Sequence, residues 1–93
     1  MADQATLNAH VRAKVGTVAA RALRREGKVP VVIYGRGLDP RHLWVPHKDF
    51  QDELDRGNRV FSLKVDGELF MTLVKEIQMD TFQESIIHAD FLH

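Results

Sequence analysis

The sequence predicts a mainly β domain of the α+β type, a small six-stranded antiparallel closed barrel with two or three short helices. Short runs of alternating apolar and polar side chains recur along the chain, the period of half-buried strands. Two stretches rich in helix formers lie between them. Six strands in so small a domain must close on themselves or pack as two sheets to hide their edges, and a barrel with helices at its ends fits best.

Thr6 to Arg12 places Leu7, Ala9 and Val11 on one side and Asn8, His10 and Arg12 on the other, which predicts the first strand. Gly16 and Thr17 interrupt it. The stretch VAARALRRE then predicts a helix stopping at Gly27, a residue suited to the left-handed position just past a helix end. Val29 to Tyr34 is β-branched and almost wholly apolar, a buried second strand, and Gly35, Gly37, Asp39 and Pro40 mark a loop. His42 to Val45 predicts a brief third strand. Pro46 to Leu54 predicts a second helix, with Phe50 and Leu54 one turn apart and Gly57 at its exit. Arg59 to Val65 alternates, Asp66-Gly67 supplies a two-residue hairpin turn, and Glu68 to Gln78 returns as a long strand. Met79 to Ser85 breaks the pattern. Ser85 to Leu92 predicts the last strand, with Ile86, His88 and Asp90 on one face and Ile87, Ala89 and Phe91 on the other.

The chain has 93 residues, 44% apolar and 28% charged, enough for a single core, so residues 1–93 are expected to form one domain. Cysteine is absent, which excludes disulfides and thiolate metal sites. No apolar run approaches the roughly 20 residues of a membrane span, and the start MADQATLNAH lacks the order of a signal peptide. The cytoplasm is the expected location, with no membrane partner.

Net charge is formally zero, but its distribution is uneven. Residues 1 to 41 carry eight Lys and Arg against three Asp and Glu, giving +5, and the remainder carries −5. Such asymmetry points to a polyanion-binding face, because a local field steers a ligand even when the total cancels. On the first helix Arg21, Arg24 and Arg25 fall within one arc, with Ala19, Ala22 and Leu23 largely opposite. Arginine's planar fork suits phosphate oxygens and base edges. A solvated helix face is the plainer explanation, yet such faces usually mix signs, and Glu26 is the only acid in this helix.

No enzymatic arrangement is present: there is no Gly-rich phosphate loop with its lysine and no HExxH pattern. His88 and Asp90, about 7 Å apart along one strand face, form the nearest approach to a site. Two such residues make a poor metal centre and suit a polar binding or structural role better, so no cofactor is expected. Tyr34 ends a buried strand beside Gly35 and is open to a packing role or to presenting its ring and hydroxyl at the barrel rim. Trp44 is equally open to a core or a stacking role.

The segments ARALRREGKVPVVIYG, residues 20 to 35, and KEIQMDTFQESIIHADF, residues 75 to 91, resemble the bacterial large-subunit ribosomal protein L twenty-five (Ctc) family. The first follows the family's G-x-x-A-A-R-x-L-R-x-x-G-K-x-P-x-V-I-Y-G pattern from Gly16 to Gly35, and the second its Q-x-D and H-x-D-F ending. The resemblance implies a non-catalytic rRNA-binding protein, monomeric when free. It would dock on 5S rRNA in the central protuberance of the large ribosomal subunit, with neighbouring ribosomal proteins as further partners. It implies recognition of loop E across a widened minor groove, by shape, phosphates and hydroxyls. By position Arg12, Arg24, Tyr34, His88 and Asp90 resemble the family's RNA-contacting residues, with Arg21 close by and Gln78 weaker. Lys14 and Arg25 join the candidate set as neighbouring cations.

Three departures stand out. Thr17 and Val18 replace the lysine and glycine that often follow Gly16, and Thr81 replaces a proline common after the Q-x-D element. The additional C-terminal β domain of longer members is absent from this sequence, so it is read as the short form or as a fragment of that length. A stress-related ribosome-binding factor, a general protein-interaction module and a tRNA-binding barrel like those of glutaminyl-type tRNA synthetases are the alternatives.

Overall fold

The computed structural model describes residues 5–80, 82 and 85–93. Strand β1 (Ala5–Val11) leads into helix α1 (Thr17–Arg25), followed by β2 (Lys28–Gly35), β3 (Leu38–Pro46), helix α2 (His47–Asp55), β4 (Val60–Val65), β5 (Glu68–Asp80) and β6 (Ser85–Leu92). The strands close in the order β1-β3-β2-β6-β5-β4. The expected six-stranded closed barrel is therefore present.

It is not purely antiparallel: β1 pairs with β4, and β2 with β6, in parallel. Helix α1 is the reason. A strand–helix–strand crossover returns the chain in its starting direction, so β1 and β2 run the same way with β3 between them. Four strands then run one way and two the other. A ring of six with that split must contain two parallel neighbours.

Inward side chains of the strands, with Phe50 of α2 as a plug, build one core. Phe50, Phe61 and Phe91 are wholly buried, and their ring centroids lie 5.4 to 5.7 Å apart in tilted and edge-on contacts. The Asp66-Gly67 turn joins β4 to β5 with both residues at positive φ, 49° and 86°, as a type I′ hairpin requires. Gly27, at φ 79°, lets the chain leave α1, its N–H donating to the Arg24 carbonyl at 3.1 Å.

Three sequence expectations are corrected. Strand β3 begins at Leu38 rather than His42, because Arg36 and Gly37 alone make the turn and Gly35 pairs with Leu38. Pro40 sits in that strand where β1 does not yet pair with it, so its missing N–H breaks no bond on that side. Strand β5 continues past Gln78 to Asp80, paired with Ser85. In β6 the alternation slips by one residue: Gln78 pairs with His88 but Met79 with Ile86, leaving Ile87 as a bulge. Ile86 therefore turns inward with Ala89 and Phe91, while Ile87 joins His88 and Asp90 outside.

Candidate nucleic-acid interface

No residue of α1 is fully buried. The helix leans on the outer face of β2, where Val32 is buried outside the barrel core, and Arg24 ties it to the bulge, Nη1 donating to the Ile87 carbonyl at 3.4 Å. Between α1 and the barrel wall runs an open groove of about 350 Å³. Its lining includes Arg12, Arg24, His42, Val32, Gln78 and His88. Register explains the convergence. Arg12 follows β1 and donates its backbone N–H to the His42 carbonyl at 3.1 Å; His42 pairs with Val32, Val32 with Asp90, and His88 with Gln78. Outward side chains of four neighbouring strands, β3, β2, β6 and β5, thus converge with Arg12 just past the end of β1.

The polar groups of this face are incompletely matched. Arg12 Nε and Nη2 and Asp90 Oδ1 are each buried, with no hydrogen-bond partner among the described residues. Asp90 Oδ1 lies 3.6 Å from His88 Nδ1, an ion-pair distance but too long for a hydrogen bond. Burial holds the His88 imidazole below its ordinary pKa; the Asp90 and Glu76 carboxylates oppose this shift, and Arg12 and His42 reinforce it. Burial, reinforced by the nearby Arg24 charge, lowers the Arg12 guanidinium as well. The groove therefore presents the guanidinium groups of Arg12 and Arg24 and an imidazole whose pKa is lowered, while Asp90, with its unpartnered oxygen, lies beside His88 just outside the lining.

Arg21 and Arg25 are exposed and, with Arg24 and Asp80, line an adjoining groove. Lys14 lies elsewhere, in a groove with Ala19, Leu23 and Trp44. Tyr34 does not line the central groove either: it is half-buried at the far end of β2, with Lys75 Nζ 5.9 Å from its ring centroid. Trp44 is a half-buried stacking surface, its ring centroid 4.3 Å from that of His10 and 4.4 Å from Lys28 Nζ. His42 was missed by sequence reasoning. The alternation of His42, Leu43, Trp44 and Val45, with Leu43 and Val45 facing the core, puts His42 outward.

Among the described residues no group of three or more His, Asp or Glu could hold a metal ion. Thr81, the position of the proline departure, lies outside the described residues.

The sequence profile of the Ribosomal L25p family matches residues 7–91, which takes in both helices, the groove lining and the β6 ending. The chain belongs to the Ribosomal L25p family. It is 43% identical over 94 residues to the large ribosomal subunit protein bL25 of Rhodococcus opacus, covering 99% of this chain and 45% of that protein. The protein of the same description from Mycobacterium leprae is 40% identical over 88 residues, covering 92% of this chain and 41% of the relative. That of Gluconobacter oxydans is 40% identical over 95 residues, covering 98% and 44%. The chain thus spans about half the length of the curated relatives it matches.

Proposed function

We propose that the chain is a non-catalytic component of the large ribosomal subunit in the cytoplasm, and that it binds 5S rRNA through the groove between α1 and β6. Membership of the Ribosomal L25p family supports the ribosomal role. The observation that carries the RNA reading is the set of unpartnered polar atoms on one outward face, Arg12 Nε and Nη2 with Asp90 Oδ1. Buried polar atoms are normally paired, and a ligand with both phosphate acceptors and amino or hydroxyl donors would satisfy this set. RNA offers all of these along a shallow minor groove.

In this reading Arg12, Arg24 and the exposed Arg21 and Arg25 hold phosphates or base edges, with Lys14 as a peripheral cation. Gln78 and His88 reach sugar hydroxyls or base edges. Asp90 accepts from base amino groups or 2′-hydroxyls and so confers selectivity, because a carboxylate facing a polyanion is otherwise repelled. Tyr34 meets the backbone where the face continues past Asp90. The internal loop called loop E, in the central protuberance, supplies the widened minor groove this face requires.

The test is a mobility-shift comparison of 5S rRNA with a tRNA over a range of salt. Each neutralised phosphate is expected to contribute about 0.7 to 0.9 to the log–log slope. Equal affinity for the two RNAs, or a flat salt response, would refute the proposal.

A further inference from the structure

The turn between β5 and β6 carries Phe82, 96% exposed and the most exposed large apolar side chain among the described residues. A single exposed apolar residue is unremarkable by itself. Its anchorage is more informative. The Phe82 backbone N–H donates to Asp80 Oδ1 at 2.9 Å, and Asp80 lines a groove of about 370 Å³ with Arg21, Arg24 and Arg25. The turn therefore holds an aromatic residue two positions from the wall of a groove bearing three guanidinium side chains. Met79, 45% exposed, adds a second apolar side chain on the same arm.

Resting on the RNA-binding reading above, we infer that Phe82 is a base-stacking residue, receiving an unstacked nucleobase whose flanking phosphates are held by Arg21 and Arg25. The charge of the neighbourhood selects this occupant: an arginine-lined groove whose wall residue Asp80 anchors an exposed aromatic matches the alternation of phosphate and base along a nucleotide chain. A ring with no polar atom reads no base identity, so the contact adds affinity without sequence preference. It extends the interface from the barrel wall, where Asp90 confers selectivity, to the hairpin tip.

The experiment compares wild-type protein with Phe82→Ala, Phe82→Leu and Phe82→Trp for binding to 5S rRNA across a salt series, with melting curves on each. Phe82 is solvent-exposed, so all three variants are expected to melt like the wild type. Stacking on one base corresponds to about a 5- to 150-fold loss of affinity for Phe82→Ala. Phe82→Leu should lose as much, and Phe82→Trp should bind at least as tightly as wild type. The salt slope should be unchanged in all three because no charge is removed, whereas Arg21→Ala should reduce it by about 1.

Wild-type affinity in Phe82→Ala overturns the inference alone, as does full rescue by Phe82→Leu. A defect that appears only on intact ribosomal subunits and not on 5S rRNA seats the ring in a protein and also overturns it. A wild-type protein that binds no 5S rRNA overturns both this inference and the reading it rests on.

Discussion

Replacing Arg12 with methionine is expected to stabilise the free protein and weaken its hold on RNA. Arg12 Nε and Nη2 are buried without hydrogen-bond partners, and the guanidinium sits in the field of Arg24. An unsatisfied buried polar group costs roughly 1 to 3 kcal/mol, and because this side chain is only half-buried the lower figure, about 1 kcal/mol, applies. Methionine keeps the unbranched stem against the groove wall and removes the charge. The backbone bond from Arg12 to His42 does not involve the side chain and persists. For a domain of this size about 1 kcal/mol raises Tm by about 4 to 8 °C. Loss of one arginine contact to RNA should cost about 1 to 3 kcal/mol of binding and lower the salt slope by about 1. Thermal melts and filter binding on the same preparation of Arg12→Met read both quantities. A variant that loses stability and affinity together would refute the reasoning, since Arg12 would then be a brace for the protein's own fold.

Four further outcomes follow from the same geometry. Asp90→Ala should weaken binding to 5S rRNA while leaving weak binding to unrelated RNA unchanged or slightly stronger, as measured by competition; equal weakening of both would remove its selective role. Arg24→Ala should cost about 1 to 3 kcal/mol of 5S rRNA binding, and Lys64→Ala, an exposed change in β4 away from the groove, should change little in the same titration. The His88 pKa lies below the ordinary 6.5, so the unfolded chain takes up this proton first: its contribution to stability is full above about pH 6.5 and is lost as pH falls. RNA phosphates favour the imidazolium, so affinity should rise over the window in which Tm falls, and a His88→Gln variant should lose both trends. Phe50→Ala should cost about 3 to 5 kcal/mol by emptying the contact with Phe61 and Phe91, read as a lower midpoint in urea.

The parts of the fold legible in the sequence were those set by local chemistry. Asp66-Gly67 demands positive φ at both residues and so announces its hairpin; Phe50 and Leu54 announce the inner stripe of α2. Pro40 and Gly37 concealed the start of β3, because a proline reads as a break unless its strand is known to lack a neighbour on one side. The Ile87 bulge is a single inserted residue that a period-two reading cannot detect without the partner strand. The parallel pairs are non-local, yet they follow once the single helical crossover through α1 is counted around a closed ring. The groove shows the same division. Arg24 could be placed on a helix arc from spacing alone, whereas the approach of Arg12, His42 and His88 depends on pairings between strands far apart in sequence.

A formal charge of zero looks unfavourable for the proposed binding of a polyanion, but net charge is the wrong quantity at this scale. The molecule measures 32 × 29 × 21 Å, while the Debye length at physiological salt is about 8 Å, so an approaching phosphate senses mainly the side chains within its own neighbourhood. Around α1 these are dominated by arginine. Interaction of Arg24 and Arg25 with the helix dipole accounts for basic residues in the last turn of α1. It does not account for Arg21 in the middle of the helix, nor for the reach of Arg24 back to the β6 bulge at Ile87. On the proposed RNA-binding reading, the acidic balance of residues 42 to 93 would disfavour docking through surfaces away from α1. Neutrality here is achieved by segregating charge rather than by lacking it, which is compatible with the proposed cationic face.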